Sequence, residues 1–134
     1  MPARSRTHPD LWILFATIFG FLAVAFGAFG AHALKAYLDD RALEIYRTGI
    51  QYQIFHTLAL LGLGIWGRHY PEMRTALVGW AFTVGILIFS GSLYLLAITD
   101  LKFLGAITPI GGLCFLVGWL LWALMASRVV RRDL

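Results

Sequence analysis

Four stretches of this chain contain no aspartate, glutamate, lysine or arginine: Leu11 to Leu34, Ile50 to Gly67, Thr75 to Thr99 and Phe103 to Ser127. They hold 24, 18, 25 and 25 residues. An α-helix rises about 1.5 Å per residue, so roughly 20 apolar residues cross a hydrocarbon layer of about 30 Å, and all four stretches can span. Backbone in lipid must bond to itself, and runs of this length without period-two alternation do so as helices rather than as barrel strands. The prediction is an all-α integral membrane bundle of four transmembrane helices, up-down-up-down, forming one domain over residues 1–134. Composition points the same way. The chain is 60% hydrophobic and 13% charged, where soluble domains hold about 45–50% and about 25%. Such hydropathy excludes a disordered chain, and Cys114, the only cysteine, excludes a disulfide framework. The second stretch is the shortest and opens with Gln51, Tyr52 and Gln53, so its outer end is expected among neighbouring helices or headgroups.

Orientation follows from the basic residues between the spans. Arg4, Arg6, Arg68, Arg74, Arg128, Arg131 and Arg132 fall on one face, and Lys35, Arg41, Arg47 and Lys102 on the other. With Asp10, Glu72 and Asp133 set against the first group and Asp39, Asp40, Glu44 and Asp100 against the second, the faces carry +4 and zero. Both termini are therefore expected in the cytoplasm of a cell with this multi-pass protein in its inner membrane. The overall charge of +4 reads as orientation and contact with anionic membrane lipids, with no nucleic-acid partner. Trp12, Trp66, Trp80, Trp119 and Trp122 all fall in the cytoplasmic halves of their spans, where interfacial anchoring is the expected role for most. Arg4 and Arg6 before an apolar run, with Ala31, His32 and Ala33 as an A-x-A pattern, also fit a secretory signal. A signal's apolar core is usually about 7–15 residues, so the longer run favours a retained anchor.

Between the first two spans, the segment from Lys35 to Gly49 is too charged to cross. Leu38, Ala42, Ile45 and Tyr46 share one helical side, and Asp40, Glu44, Arg47 and Thr48 the other. This predicts a short amphipathic surface helix, started near Asp39 or Asp40 and ended by Gly49. Thirteen of the fourteen glycines lie within the spans. Gly20, Gly27 and Gly30 in the first span, and Gly111 and Gly118 in the fourth, are expected to let helix backbones approach closely. Pro109 removes a backbone donor and is a candidate kink in the fourth helix.

The polar residues gather at one depth. On the predicted topology His32, Gln51, Gln53, His56, Ser90, Ser92, Tyr94 and Thr108 all fall within about 12 Å of the outer boundary. Tyr52 and Gln53 share a helix face with His56, so one side chain could orient another. Polar groups in a membrane interior need partners and face the bundle or a wet cavity. The layer is thus either an interhelical hydrogen-bond network or a site for a ligand or partner. No carboxylate lies in a span to carry a proton relay. Two histidines without a third ligand fall short of a zinc site, and His56 with Ser90 or Ser92 lacks an acidic third member for hydrolysis. Histidine remains the one group that titrates near neutrality, which keeps a pH-sensing role in view. No nucleotide-binding or metalloprotease pattern occurs, and no cofactor or metal is expected.

The strings GAFGAHAL from Gly27, TGIQYQIFHTLALL from Thr48, FSGSLYLL from Phe89 and LGAITPIGG from Leu104 resemble those of the domain of unknown function 423 family. That family includes small bacterial inner-membrane proteins of the YgdD type and eukaryotic transmembrane protein 256. The resemblance runs from about Trp12 to Trp122 and implies a four-helix integral membrane protein. It brings no reaction, substrate, cofactor or catalytic residue. Two functions are expected from the residues and the resemblance together. The first is a non-enzymatic protein acting by association, as an accessory subunit or a small homo-oligomer. The alternative is a small transporter, or a lipid- or metabolite-binding protein, with a polar site in the outer leaflet around His56.

Overall fold

The computed structural model describes residues 9–134, which form four helical rods with no strand among them. We label them α1 (Pro9–Leu34), α2 (Asp40–His69), α3 (Ala76–Thr99) and α4 (Leu104–Asp133). By length and composition, α1, α3 and α4 can cross a membrane. α2 falls outside that group, because Gln51, Gln53 and His56 dilute the hydropathy of its apolar stretch. Arg4 and Arg6, which the charge count and the signal reading used, lie outside the described residues.

The expected surface helix is not separate. Asp39 caps the helix, its carboxylate accepting the Ala42 backbone N–H at 2.8 Å, but α2 then runs unbroken through Gly49 to His69. A glycine ends a helix when it adopts the left-handed conformation, and Gly49 has another use. A Cβ there would lie 2.6 Å from the Tyr94 ring, so the missing side chain admits an aromatic from α3. Among the described residues the left-handed position is instead Asp100, with φ 54°, which closes α3 before the short turn into α4. Aspartate is one of the few residues that tolerate that region. α4 continues through Pro109 in its second turn.

Neighbouring rods pack antiparallel in heptad register. In α1, Ile13, Gly20 and Gly27 stand seven apart and oppose Gly64, Thr57 and Ile50 of α2, also seven apart. Between α3 and α4 the layers are Phe82 with Gly118, Gly85 with Phe115, Phe89 with Gly111, and Ser92 with Thr108. The steps of three and four residues along each rod are those of side-by-side helices in a left-handed bundle. Three of the four layers set a phenylalanine against a glycine: a ring fills the space at Gly118 and Gly85, and at Gly111 the Phe89 backbone itself comes close.

α2 is the centre. Tyr46, Gly49, Gln53, His56, Leu60, Leu63 and Gly67 step by three and four residues and are all buried. Leu60 and Leu63 join Trp12, Val78, Phe82, Ile86 and Phe115 in the apolar core. The outward faces stay apolar too: Phe21, Phe29 and Leu77 are each at least 70% exposed, which suits a lipid surround and not water. Two five-residue π-helical turns interrupt the rods, Phe26–Gly30 in α1 and Ile86–Ser90 in α3. Both flank the Tyr46–Gly49 turn of α2.

Candidate functional site

The seam of α2 carries its polar residues at the end of the bundle where α1 finishes and α4 begins. Tyr46 comes first. Its hydroxyl donates to the Phe26 carbonyl at 2.7 Å and fills the space that a Cβ on Gly30 would take. Widening a helix by a π turn releases carbonyls from the regular ladder, and here Tyr46 reaches the first residue of such a turn. The second π turn ends on Ser90, which is fully buried and donates to the Gly49 carbonyl at 2.7 Å. Beside it Ser92 and Thr108 join α3 to α4 through their hydroxyls, 2.6 Å apart.

Gln53, 2% exposed, bridges three rods. Its Nε2 donates to the Phe19 carbonyl of α1 at 2.9 Å, and its Oε1 accepts the Tyr94 hydroxyl of α3 at 2.6 Å. The two bonds fix which end of the amide is which. One helical turn further on, His56 Nδ1 lies 2.8 Å from the Tyr52 carbonyl, and Trp119 Nε1 donates to His56 Nε2 at 3.1 Å. An indole nitrogen only donates, so Nε2 is the acceptor and Nδ1 carries the proton given to Tyr52. Neither ring nitrogen is left over. The Phe115 ring lies flat on the imidazole, with centroids 3.5 Å apart and planes at 6°.

Of the residues expected in one polar layer, the structure therefore brings together Gln53 with Tyr94, Ser92 with Thr108, and Ser90 with the Gly49 backbone, while His56 pairs with Trp119. His32 and Gln51 are exposed and join none of these pairs. The layer is a set of adjacent pairs and not one continuous site, because His32 and Gln51 sit on outward faces of their helices. Neither Ser90 nor Ser92 bonds to His56. Of the described residues one buried hydroxyl, Thr57 Oγ1, has no partner. Its methyl group lies over Gly20.

The glycines singled out from the sequence divide by how close the next helix comes. A Cβ on Gly118 would lie 2.6 Å from the Phe82 ring, and one on Gly111 would lie 2.8 Å from the Phe89 Cα. On Gly20 and Gly27 it would sit at ordinary contact distance, 3.6 and 3.7 Å from side-chain methyls. Two tryptophans depart from the expected interfacial role. Trp12 is 1% exposed and donates to Thr75 Oγ1 at 3.0 Å, and Trp119 serves His56. Sequence reasoning does not single out Tyr46 and Trp119 as site residues, although Phe115, Trp119 and Trp122 form an aromatic stripe on α4 at helical spacing.

A groove of about 580 Å³ opens sideways between α2 and α4, lined by Tyr52, Phe55, His56, Phe89, Phe115 and Trp119 among others. Its walls are carbon and aromatic rings, and the one imidazole on them is already paired on both nitrogens.

The family described as "Protein of unknown function (DUF423)" matches residues 26–112. The UPF0382 membrane protein YwdK of Bacillus subtilis is 38% identical over 119 residues, 88% of this chain and 97% of that protein. The UPF0382 inner membrane protein YgdD of Escherichia coli is 40% identical over 127 residues, 90% of this chain and 92% of that protein. A UPF0382 membrane protein of Staphylococcus saprophyticus, SSP2132, is 42% identical over 119 residues, 89% and 98% of the two chains. No solved structure matches.

Proposed function

The chain belongs to the DUF423 family, and from that premise we propose that this membrane protein crosses the bilayer four times and acts by association. In this reading it is an accessory subunit or a small homo-oligomer and not an enzyme. The observation that carries it is the self-sufficiency of the polar pairs: Gln53, His56, Ser90, Ser92 and Thr108 all bond within the chain. A binding or catalytic site needs polar groups free to meet a substrate, whereas these spend theirs on holding four rods in register.

What remains for partners is the outer surface. Gly91 has no atom within 4 Å of a Cβ position, and Gly105 and Gly112 have only side-chain carbons at 3.8 Å. Intramolecular packing does not demand glycine there, and small residues on lipid-facing helix surfaces are what an incoming helix packs against. In this reading both termini lie in the cytoplasm, as the positive-inside rule expects of the basic residues. Arg68, Arg74, Arg128, Arg131 and Arg132 share one end of the bundle, where Arg68 meets Asp10 at 2.7 Å and Arg132 meets Glu72 at 3.6 Å.

The groove beside His56 supports the second reading, a small transporter or a protein that binds a lipid or metabolite. Its apolar lining suits a hydrocarbon chain better than a polar metabolite. Extraction from the native membrane in mild detergent, followed by mass measurement of the intact assembly, separates the two. A reproducible oligomer or a fixed partner chain is expected. A lone chain carrying a stoichiometric small molecule would replace the first reading with the second.

A further inference from the structure

At the end of the bundle opposite the polar pairs, the turn between α2 and α3 and the last turns of α4 enclose a groove of about 430 Å³. Its rim carries Arg74, Arg128 and Arg132, and its floor includes Leu77, Leu121 and Leu124. On α4 these residues form one stripe, since positions 121, 124, 128 and 132 recur at steps of three and four. The stripe changes from apolar to basic toward the helix end. The floor is open as well, with Leu77 70% exposed and Leu124 50% exposed.

Glu72 shares the groove and meets Arg132, but among the described residues Arg74 and Arg128 have no carboxylate partner. Three guanidinium groups against one carboxylate leave the rim with an excess of positive charge. Guanidinium offers a planar fork of donors that matches the oxygens of a phosphate. Uncovered hydrocarbon directly below a basic rim is the arrangement of a phospholipid reversed: acyl chain against leucine, phosphate against arginine.

We propose that this groove is a binding site for an anionic phospholipid, with the phosphodiester held by Arg74, Arg128 and Arg132 and an acyl chain laid over Leu77, Leu121 and Leu124. A zwitterionic lipid would bring its own cation to the same arginines and gain less. A soluble phosphate would use the rim and leave the floor uncovered. The inference rests on the chain lying in a bilayer, and depends neither on which end faces the cytoplasm nor on whether the protein associates.

The full-length protein, purified in detergent and stripped of lipid, is titrated with dioleoylphosphatidylglycerol and its adducts are measured by native mass spectrometry. The double variant Arg74→Gln/Arg128→Gln is expected to bind about thirtyfold more weakly, while Arg131→Gln, outside the groove on the same helix end, stays near the parent. Arg74→Lys/Arg128→Lys keeps the charge without the guanidinium fork and is expected to recover part of the binding, which ties the loss to the arginines and not to misfolding. Because both arginines are exposed, circular dichroism of the glutamine variant should match the parent; if it does not, Arg128→Gln alone makes the same comparison. Equal loss in Arg131→Gln would mean general attraction without a site and overturn the proposal. So would equal binding of dioleoylphosphatidylcholine, or glycerol phosphate binding as tightly as the lipid.

Discussion

Replacing Gly111 with alanine tests the contact between α3 and α4 at its closest point. The added methyl would lie 2.7 Å from the Phe89 Cβ and 2.8 Å from the Phe89 Cα, where carbon atoms normally keep about 3.5–4.0 Å. Most of the obstruction is backbone, inside the π turn Ile86–Ser90, so no side chain can swing away and the rods must separate. Overpacking of this kind costs about 1–3 kcal/mol. Alanine also brings its helix propensity, up to about 1 kcal/mol over glycine in water, and a control has to cancel that gain. Gly91→Ala supplies it, because nothing stands within 4 Å of a Cβ at Gly91. Gly111→Ala is therefore expected to be less stable than Gly91→Ala by about 1–3 kcal/mol. Unfolding in mixed micelles by titration with sodium dodecyl sulfate, followed by tryptophan fluorescence, measures the difference. Equal stabilities would mean that the two rods do not meet in this register, and the Ser92–Thr108 pair would fall with it.

Three further experiments address the polar pairs and the charged end. A double-mutant cycle of His56→Leu and Trp119→Phe should return a coupling of about 0.6 to 1.7 kcal/mol, the range for interhelical hydrogen bonds in membranes; a coupling indistinguishable from zero would contradict the Trp119–His56 bond. Tyr46→Phe leaves the Phe26 carbonyl without its donor and should cost about 1 kcal/mol by the same unfolding assay, whereas an unchanged midpoint would show the π turn to be independent of α2. Arg68→Gln breaks an ion pair whose side chains are 61% and 67% exposed, so the loss should stay below about 1 kcal/mol and shrink further in high salt.

The four rods are readable from uncharged run length because lipid imposes that length directly. The heptad seam of α2 is harder to see. It mixes Tyr46, Gly49, Gln53 and His56 with Leu60, Leu63 and Gly67, so a hydropathy pattern registers polar residues where the structure has a buried face. Gly49 is hidden too, by a contact distant in sequence. In sequence it looks like a helix stop, and only the ring of Tyr94, 45 residues away, explains why it lies mid-helix. The polar residues Gln53, His56, Ser90, Ser92 and Thr108 could be found by depth alone, but not all of their partners. Three are backbone carbonyls or an indole on other rods, and no spacing rule within one helix names Phe19, Gly49 or Trp119. His32 and Gln51 belong to the layer by expected depth, but their side chains are exposed. Depth follows from position in a span, whereas facing depends on packing against a neighbour.

Impermeant thiol labelling of intact cells tests the four-crossing arrangement most directly. In a Cys114→Ser background, single cysteines replace Ala36 between α1 and α2, Glu72 between α2 and α3, Lys102 between α3 and α4, and Leu134 at the carboxyl end. The account predicts that Ala36→Cys and Lys102→Cys react from outside, and that Glu72→Cys and Leu134→Cys react only once the membrane is opened. Labelling of Glu72→Cys and Lys102→Cys from the same side would mean that α3 does not cross, and would contradict it.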